Sequence, residues 1–324
     1  MPFNQKPQKF NAKINAVTIG SGDKTVTIGG ENSFPFYTFD APTENTAKIG
    51  VEISDLGLDE FSEGVRAYYE GATTMAEIAK KAAAIEGADF VALILDGGDP
   101  NGANKSVEEL IGVVKEVADA IDCPLVVEGC KNVEKDAELL PKVAEVLQGR
   151  NALLLSEKEE NYKAIGAAAG LAYNQIVGAE SAVDINLAKQ LNVVTTQLGV
   201  DAKKIVMNIG SAAAGYGYEY VVSTMDRIKG AALGQNDNML QMPIIYTSAL
   251  IILEIVLIDS GCLKITASEP AARSAAAVIT SISIPRSSAD PHSGISASEA
   301  VASFTAHVSA DTGVIIGICS ILSL

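Results

Sequence analysis

Histidine is almost missing from this chain. His292 and His307 are the only two in 324 residues, and both lie beyond residue 245. The first 245 residues therefore hold no Ser-His-Asp set, no His–carboxylate pair and no His-x-x-x-His zinc motif. Cysteine is equally sparse. Cys123, Cys130, Cys262 and Cys319 form no Cys-x-x-Cys pair and no metal-finger spacing, and they read as reduced thiols. Basic residues number 24 against 40 acidic ones, a net charge of −16. That balance argues against a nucleic-acid footprint and against binding to anionic membranes. The opening residues, MPFNQKPQKFN, lack the apolar core of a signal peptide. The longest apolar run, ALIILEIVLI at 249–258, is too short to span a bilayer and carries Glu254. We expect a soluble, cytoplasmic protein with no nucleic acid and no membrane among its partners.

A hydrophobic content of 48% and 28 glycines suit a globular α/β class rather than disorder. AVTIGSGDKTVTIGG (16–30) alternates around Ser21–Asp23 and predicts a β-hairpin. Seven apolar runs follow: 48–55, 89–96, 123–129, 151–157, 173–180, 204–210 and 242–246. Their Val, Ile and Leu content predicts strands buried on both faces, as in a parallel sheet. Helical patterns lie between them at 106–121, 133–147, 159–172, 185–198 and 219–232. Thr74/Glu77, Ser106/Glu109 and Ser156/Glu159 have the spacing of capping boxes. Seven β/α units in sequence favour a (β/α)8 barrel of the TIM type over a doubly wound sheet, with the hairpin plugging its lower end. We divide the chain into a barrel domain, 1–245, and an atypical segment, 246–324.

In such a barrel, function sits at the carboxyl ends of the strands. LDGGDPNGANKS supplies Asp96, Asp99, Asn101 and Asn104, and AESAVDIN supplies Ser181, Asp184 and Asn186. NIGSAAAGYGYEY (208–220) supplies Asn208, then Ser211, Gly215, Tyr216 and Gly217, small or polar groups that allow close backbone approach to a flat ligand or another chain. Each has a plainer reading. Asp96 and Asp99 could hold a cation, but Asp-Pro-Asn-Gly is ordinary turn chemistry. Asp184 with Asn186 could meet a heterocycle's N–H edge or simply start a helix. The 208–220 loop lacks the Gly-x-Gly-x-x-Gly pattern, which weakens a phosphate-binding reading. Glu157, Glu159 and Glu160 read as a solvated, helix-starting acidic cluster rather than an acid/base pair, and Lys131 and Lys158 as solvated lysines. The rim contains amides, tyrosines and glycines without a catalytic dyad, which suggests a binding face.

Five strings carry a resemblance: LDGGDPNGANKSVEEL, PLVVEGCKNVEKDAELL, LLLSEKEENYKAIGAAAG, DINLAKQLN and GYGYEYVVSTMDRIKGAAL followed by NDNMLQMPII. Over residues 10–245 the chain resembles the small subunit of the corrinoid iron–sulfur protein, the delta subunit family of acetyl-CoA decarbonylase/synthase. The resemblance implies a TIM barrel related to pterin-dependent methyltransferases and a heterodimer with a large subunit. It also implies a corrinoid (cobamide) shared with that subunit, which bears the [4Fe–4S] cluster. A methyltetrahydrofolate:corrinoid methyltransferase and CO dehydrogenase/acetyl-CoA synthase are the further implied partners. The chain would then be a non-catalytic member of a methyl-carrying complex in the reductive acetyl-CoA pathway, its barrel mouth covering one face of the cobamide. Asp96, Asn101, Asn104, Asp184, Asn186, Asn208, Ser211, Gly215, Tyr216 and Gly217 are the implied cofactor-facing residues. The alternative is a free-standing methyltransferase that binds a reduced pterin through Asp96, Asp184, Asn186 and Asn208.

The resemblance stops after Ile245. The last 79 residues hold nine charged residues and fifteen serines, and their helical periodicity fades. Because composition and resemblance break together, a frameshifted or mistranslated end is favoured over a diverged one. An open edge between the first and seventh barrel strands would need an eighth; GVIIGICS (313–320) is the first candidate and AAVITSISI (276–284) the second.

Overall fold

The computed structural model describes residues 8, 10–34, 45–58, 63–210 and 218–247, with the short stretches 264–265, 282–283 and 314–318. The antiparallel hairpin forms from β1 (Val17–Ser21) and β2 (Lys24–Ile28), turning at Gly22. Seven parallel strands then follow in sequential spatial order. They are β3 (Lys48–Ser54), β4 (Phe90–Ile94), β5 (Leu125–Glu128), β6 (Leu153–Glu157), β7 (Ile176–Glu180), β8 (Ile205–Asn208) and β9 (Ile244–Thr247). The stretch Val314–Ile318 lies parallel between β9 and β3 and closes the barrel. Residues 264–265 and 282–283 pair antiparallel with each other; the rest of the second strand candidate, 276–284, lies outside the described residues.

The period-2 rule explains why these strands sit in the middle of the molecule. Phe90, Ala92, Val126, Leu153, Leu155, Ile176, Val206 and Ile245 pack inward as one cluster with Val17, Ile19, Val26 and Ile28 of the hairpin. The alternate positions, such as Val91, Leu93, Val127, Leu154 and Val177, pack outward against the helices. Both faces are buried, hence the unbroken apolar runs. The hairpin is tied to the amino ends of the strands. Asn151, just before β6, donates its side-chain amide to the Thr18 and Gly20 carbonyls at 2.6 and 3.2 Å. Inside the barrel the Phe90 ring lies where a side chain on Gly50 would stand, which is why β3 carries glycine there.

The outer layer comprises α1 (Glu63–Tyr68), α2 (Met75–Ala83), α3 (Val107–Ala120), α4 (Val133–Val146), α5 (Tyr162–Ile165), α6 (Ile185–Leu198) and α7 (Tyr218–Lys229). The capping boxes at Thr74/Glu77 and Ser106/Glu109 form as the spacing predicts. The third does not. Ser156 stays in β6, and the expected 159–172 helix is one α-turn from Tyr162 that widens into π-helical turns over Gly166–Ala172. Small residues let this segment lie close to its neighbours: a side chain on Gly170 would come within 2.7 Å of Val200.

Candidate functional site at the barrel mouth

The inward alternation continues to the carboxyl ends of the strands and there turns from apolar to polar. Val126 is followed by Glu128 on the inward side of β5, Ile176 and Gly178 by Glu180 on β7, and Val206 by Asn208 on β8. Glu52 and Ser54 occupy the same side of β3 after Gly50. Asp96 follows β4 and accepts a hydrogen bond from the Ser54 hydroxyl at 3.1 Å. These residues wall the mouth.

Two lysines meet the carboxylates. Lys131 lies 3.5 Å from Glu128, and Lys158 lies 3.5 Å from Glu180. Glu128 is buried, and burial pushes its carboxyl up to about 7; Lys131 opposes this, while Glu180 and Asp96 add to it. Burial pulls Lys131 down, but Glu128, Asp96 and Glu52 more than offset that and hold its ammonium above the usual range. Lys131 sits at φ +67°, a backbone conformation uncommon for a side-chain-bearing residue, which turns the chain sharply after β5. The mouth is thus a charged and partly buried network in which carboxylates are paired with lysines. Lys131 and Lys158 are ion-paired where the sequence suggested solvated side chains.

Beside Glu180 on the next strand, buried Asn208 is held on both of its functional atoms. Its amide nitrogen donates to the Ser156 hydroxyl at 2.7 Å, and its oxygen accepts from the Gly210 backbone N–H at 2.9 Å. Ser156 reaches the mouth because the pairing of β6 with β7 slips by one residue between Leu155 and Glu157. A bulge of this kind re-aims a side chain. It also turns Glu157 away from the mouth. Far from belonging to a solvated cluster, Glu157 is 0% exposed behind the sheet.

The loop after β4 is clamped from beneath. Asp55 accepts from the Gly97 N–H at 2.7 Å and from Lys105 Nζ at 2.8 Å, and Lys105 also donates to the Asp55 carbonyl at 2.8 Å. This clamp presents Asp96 to the mouth. Asn101 and Asn104 stand exposed on the outer turn, where the Asp99 carboxylate accepts from the Asn101 backbone at 2.9 Å. That arrangement favours the turn reading of Asp-Pro-Asn-Gly. Among the described residues no group of three or more His, Cys, Asp or Glu side chains is arranged to hold a metal ion.

The remaining candidates are dispersed. Asp184 is exposed and caps α6, accepting from the Asn186 and Leu187 N–H groups at 2.7 and 3.2 Å. Asn186 lines a different cleft of about 520 Å³ between α6 and the end of α7, with Lys189, Arg227 and Asp237. Ser211, Gly215, Tyr216 and Gly217 lie outside the described residues. Asp96 and Asn208 are therefore the two candidates that the structure brings to one mouth. Glu128 and Glu180 were open to detection, since simple alternation along β5 and β7 aims them inward. Ser156 was not, because a bulge reverses the alternation.

Fold and site together define an α/β barrel of the (β/α)8 type whose mouth is lined by polar and charged side chains. Residues 16–257 match the CO dehydrogenase/acetyl-CoA synthase delta subunit family, and the chain belongs to that family. It is 34% identical over 252 residues to the acetyl-CoA decarbonylase/synthase complex subunit delta of Archaeoglobus fulgidus, covering 75% of this chain and 55% of that one. The corresponding subunit delta 1 of Methanosarcina thermophila is 35% identical over 222 residues, covering 68% and 50%. The chain thus spans about half the length of these relatives. Among solved structures, a dihydropteroate synthase of Xanthomonas albilineans aligns at 10% identity and a TM-score of 0.47, covering 93% of this chain and 92% of that one. Among the described residues no helix is long and apolar enough to cross a membrane.

Proposed function

We propose that this chain is the corrinoid-covering subunit of a methyl carrier in an acetyl-CoA decarbonylase/synthase complex, working in the cytoplasm. A large partner subunit holds the cobamide and a [4Fe–4S] cluster, and this chain closes its barrel mouth over one face of the corrinoid. The observation that carries the reading is the family match, which runs through all seven strands that wall the mouth. The donor set suits the ligand. Corrin side-chain amides need both hydrogen-bond donors and acceptors, and Asp96, Glu180, Asn208 and the exposed Asn101 and Asn104 offer both. When bound, the cobalt carries the methyl group between a methyl-tetrahydropterin donor and acetyl-CoA synthase. The residues of this chain exclude water and bind the periphery, while Ser211, Gly215, Tyr216 and Gly217 supply close backbone approach.

The test is co-purification with the large subunit. The isolated chain should be colourless and without turnover, and adding it should lengthen the lifetime of the reduced cobalt in air. Ala213→Trp should shorten that lifetime or weaken assembly while leaving the melting of the lone chain unchanged. Unchanged assembly and unchanged cobalt lifetime would refute the lid. A second reading has one observation in its favour: Asp96, Glu128 and Asn208 present acceptors and donors together, as a pterin's amide edge would require. Saturable binding of methyl-tetrahydropterin by the chain alone would decide for that free-standing methyltransferase.

A further inference from the structure

Glu157 takes no part in the mouth and yet is placed by the same bulge that forms it. Leu155 pairs with Gly178, and Glu157 pairs with the next residue, Ala179, leaving Ser156 as the extra residue of β6. With regular alternation from the inward Leu155, Ser156 would face the helices and Glu157 would face the mouth. The observed register does the reverse. Ser156 holds Asn208 in the mouth, and Glu157 enters the layer between the sheet and the helices.

That layer encloses it fully. Thr195 of α6 donates its hydroxyl to Oε1 of Glu157. Oε2 is buried without a hydrogen-bond partner among the described residues, and a side chain on Gly166 would lie 3.2 Å from it. Leu198 of α6 packs at the same place. Burial pushes the Glu157 carboxyl up to about 8, opposed by the Thr195 hydroxyl, and among the described residues no charged group of β7, the 162–172 turns or α6 adds to the shift. Of the charges that follow Glu157, Lys158 pairs with Glu180 at the mouth, and Glu159 and Glu160 are exposed. A carboxylate in such a pocket would have to draw in water or leave.

We infer that Glu157 is a positioning residue for the barrel mouth: sealed behind β6 and bonded to Thr195, it holds the bulge that turns Ser156 onto Asn208. This rests on the reading of the mouth as the binding face, but its test needs neither corrinoid nor partner. When Glu157 ionises, the bulge loosens and the Ser156–Asn208 bond weakens, so a proton taken up at the back of the sheet sets the geometry of the front.

The full chain, labelled with ¹⁵N-Asn and ¹³Cδ-Glu, is titrated by NMR between pH 6 and 9.5. The side-chain amide of Asn208 is assigned from its loss in Asn208→Ser, and the Glu157 carboxyl from its loss in Glu157→Gln. The two signals should shift with one midpoint, and in Glu157→Gln the Asn208 amide should stay at its low-pH position throughout. Glu128 also faces the mouth and titrates in this range; the Asn208 shift should survive Glu128→Gln. An Asn208 amide that does not move, that moves at a different pH from Glu157, or that follows Glu128 overturns the inference. If Glu157→Gln does not fold, the Glu157 carboxyl is assigned instead from its displacement in Thr195→Val, which removes its hydrogen bond, and the two wild-type midpoints decide. Loss of cobalt protection with a coupled Asn208 shift would overturn the proposed function and leave this inference standing.

Discussion

Replacing Lys229 by methionine should be severely destabilising although it lies far from the mouth. Lys229 closes α7, and its ammonium pairs with Glu31, just after the hairpin; both side chains are 1% exposed. The pair ties the lower plug to the helical layer across 198 positions of sequence. Its net contribution is modest, because two buried charges have lost their water and Oε2 of Glu31 finds no hydrogen-bond partner among the described residues. Breaking it is another matter. Without the ammonium, Glu31 must stay charged in a dry site or take up a proton, and one-sided removal of a buried ion pair costs about 3–5 kcal/mol. Domains of ordinary stability have only about 5–15 kcal/mol in total, so melting should fall on the order of 10 °C. Glu31→Leu with Lys229→Met should recover most of the loss, because replacing both partners by apolar groups removes the uncompensated charge. The assay is a double-mutant cycle by thermal and urea denaturation, read with hydrogen exchange over residues 12–31 and 225–234. The argument is refuted if Lys229→Met costs less than about 1 kcal/mol, the range of an exposed pair, or if the double variant is no better than the single ones.

Further outcomes follow from the same structure. Asp184→Ala should cost about 1 kcal/mol and Asp184→Asn almost nothing if the side chain only caps α6, as its two backbone bonds indicate; equal damage to cobalt protection by both variants would reveal a role beyond the cap. Stability should fall as pH rises. Glu128 and Glu157 have folded values raised to about 7 and about 8 from 4.5, so their contribution is full below 4.5 and is lost as pH climbs through the raised values, by up to about 1.4 kcal/mol per pH unit for each proton involved. Melting that is flat between pH 5 and 9, or unchanged in slope by Glu157→Gln, would contradict this. Truncation before Val314 should leave β3 and β9 with unpaired edges, seen as concentration-dependent aggregation by light scattering, whereas an unaffected chain would show that this strand is dispensable.

Much was determined by the sequence alone. Runs of Val, Ile and Leu separated by capped amphipathic stretches dictate buried parallel strands with helices outside, because each pattern can bury its apolar side in only one way. Thr74, Ser106 and Asp184 mark helix starts by local chemistry that needs no partner from elsewhere in the chain. Strict alternation along β5 and β7 already aims Glu128 and Glu180 inward. Only the tertiary structure decided the rest. Whether Lys131 and Lys158 are solvated depends on carboxylates that distant strands bring to the same mouth, and Glu31 meets Lys229 only once the barrel has formed. The inversion of Ser156 and Glu157 arises because β6 must pair with β7 while the chain after it docks on α6. That demand belongs to the packed barrel, and no property of the six letters NALLLS or of the glutamate that follows them contains it.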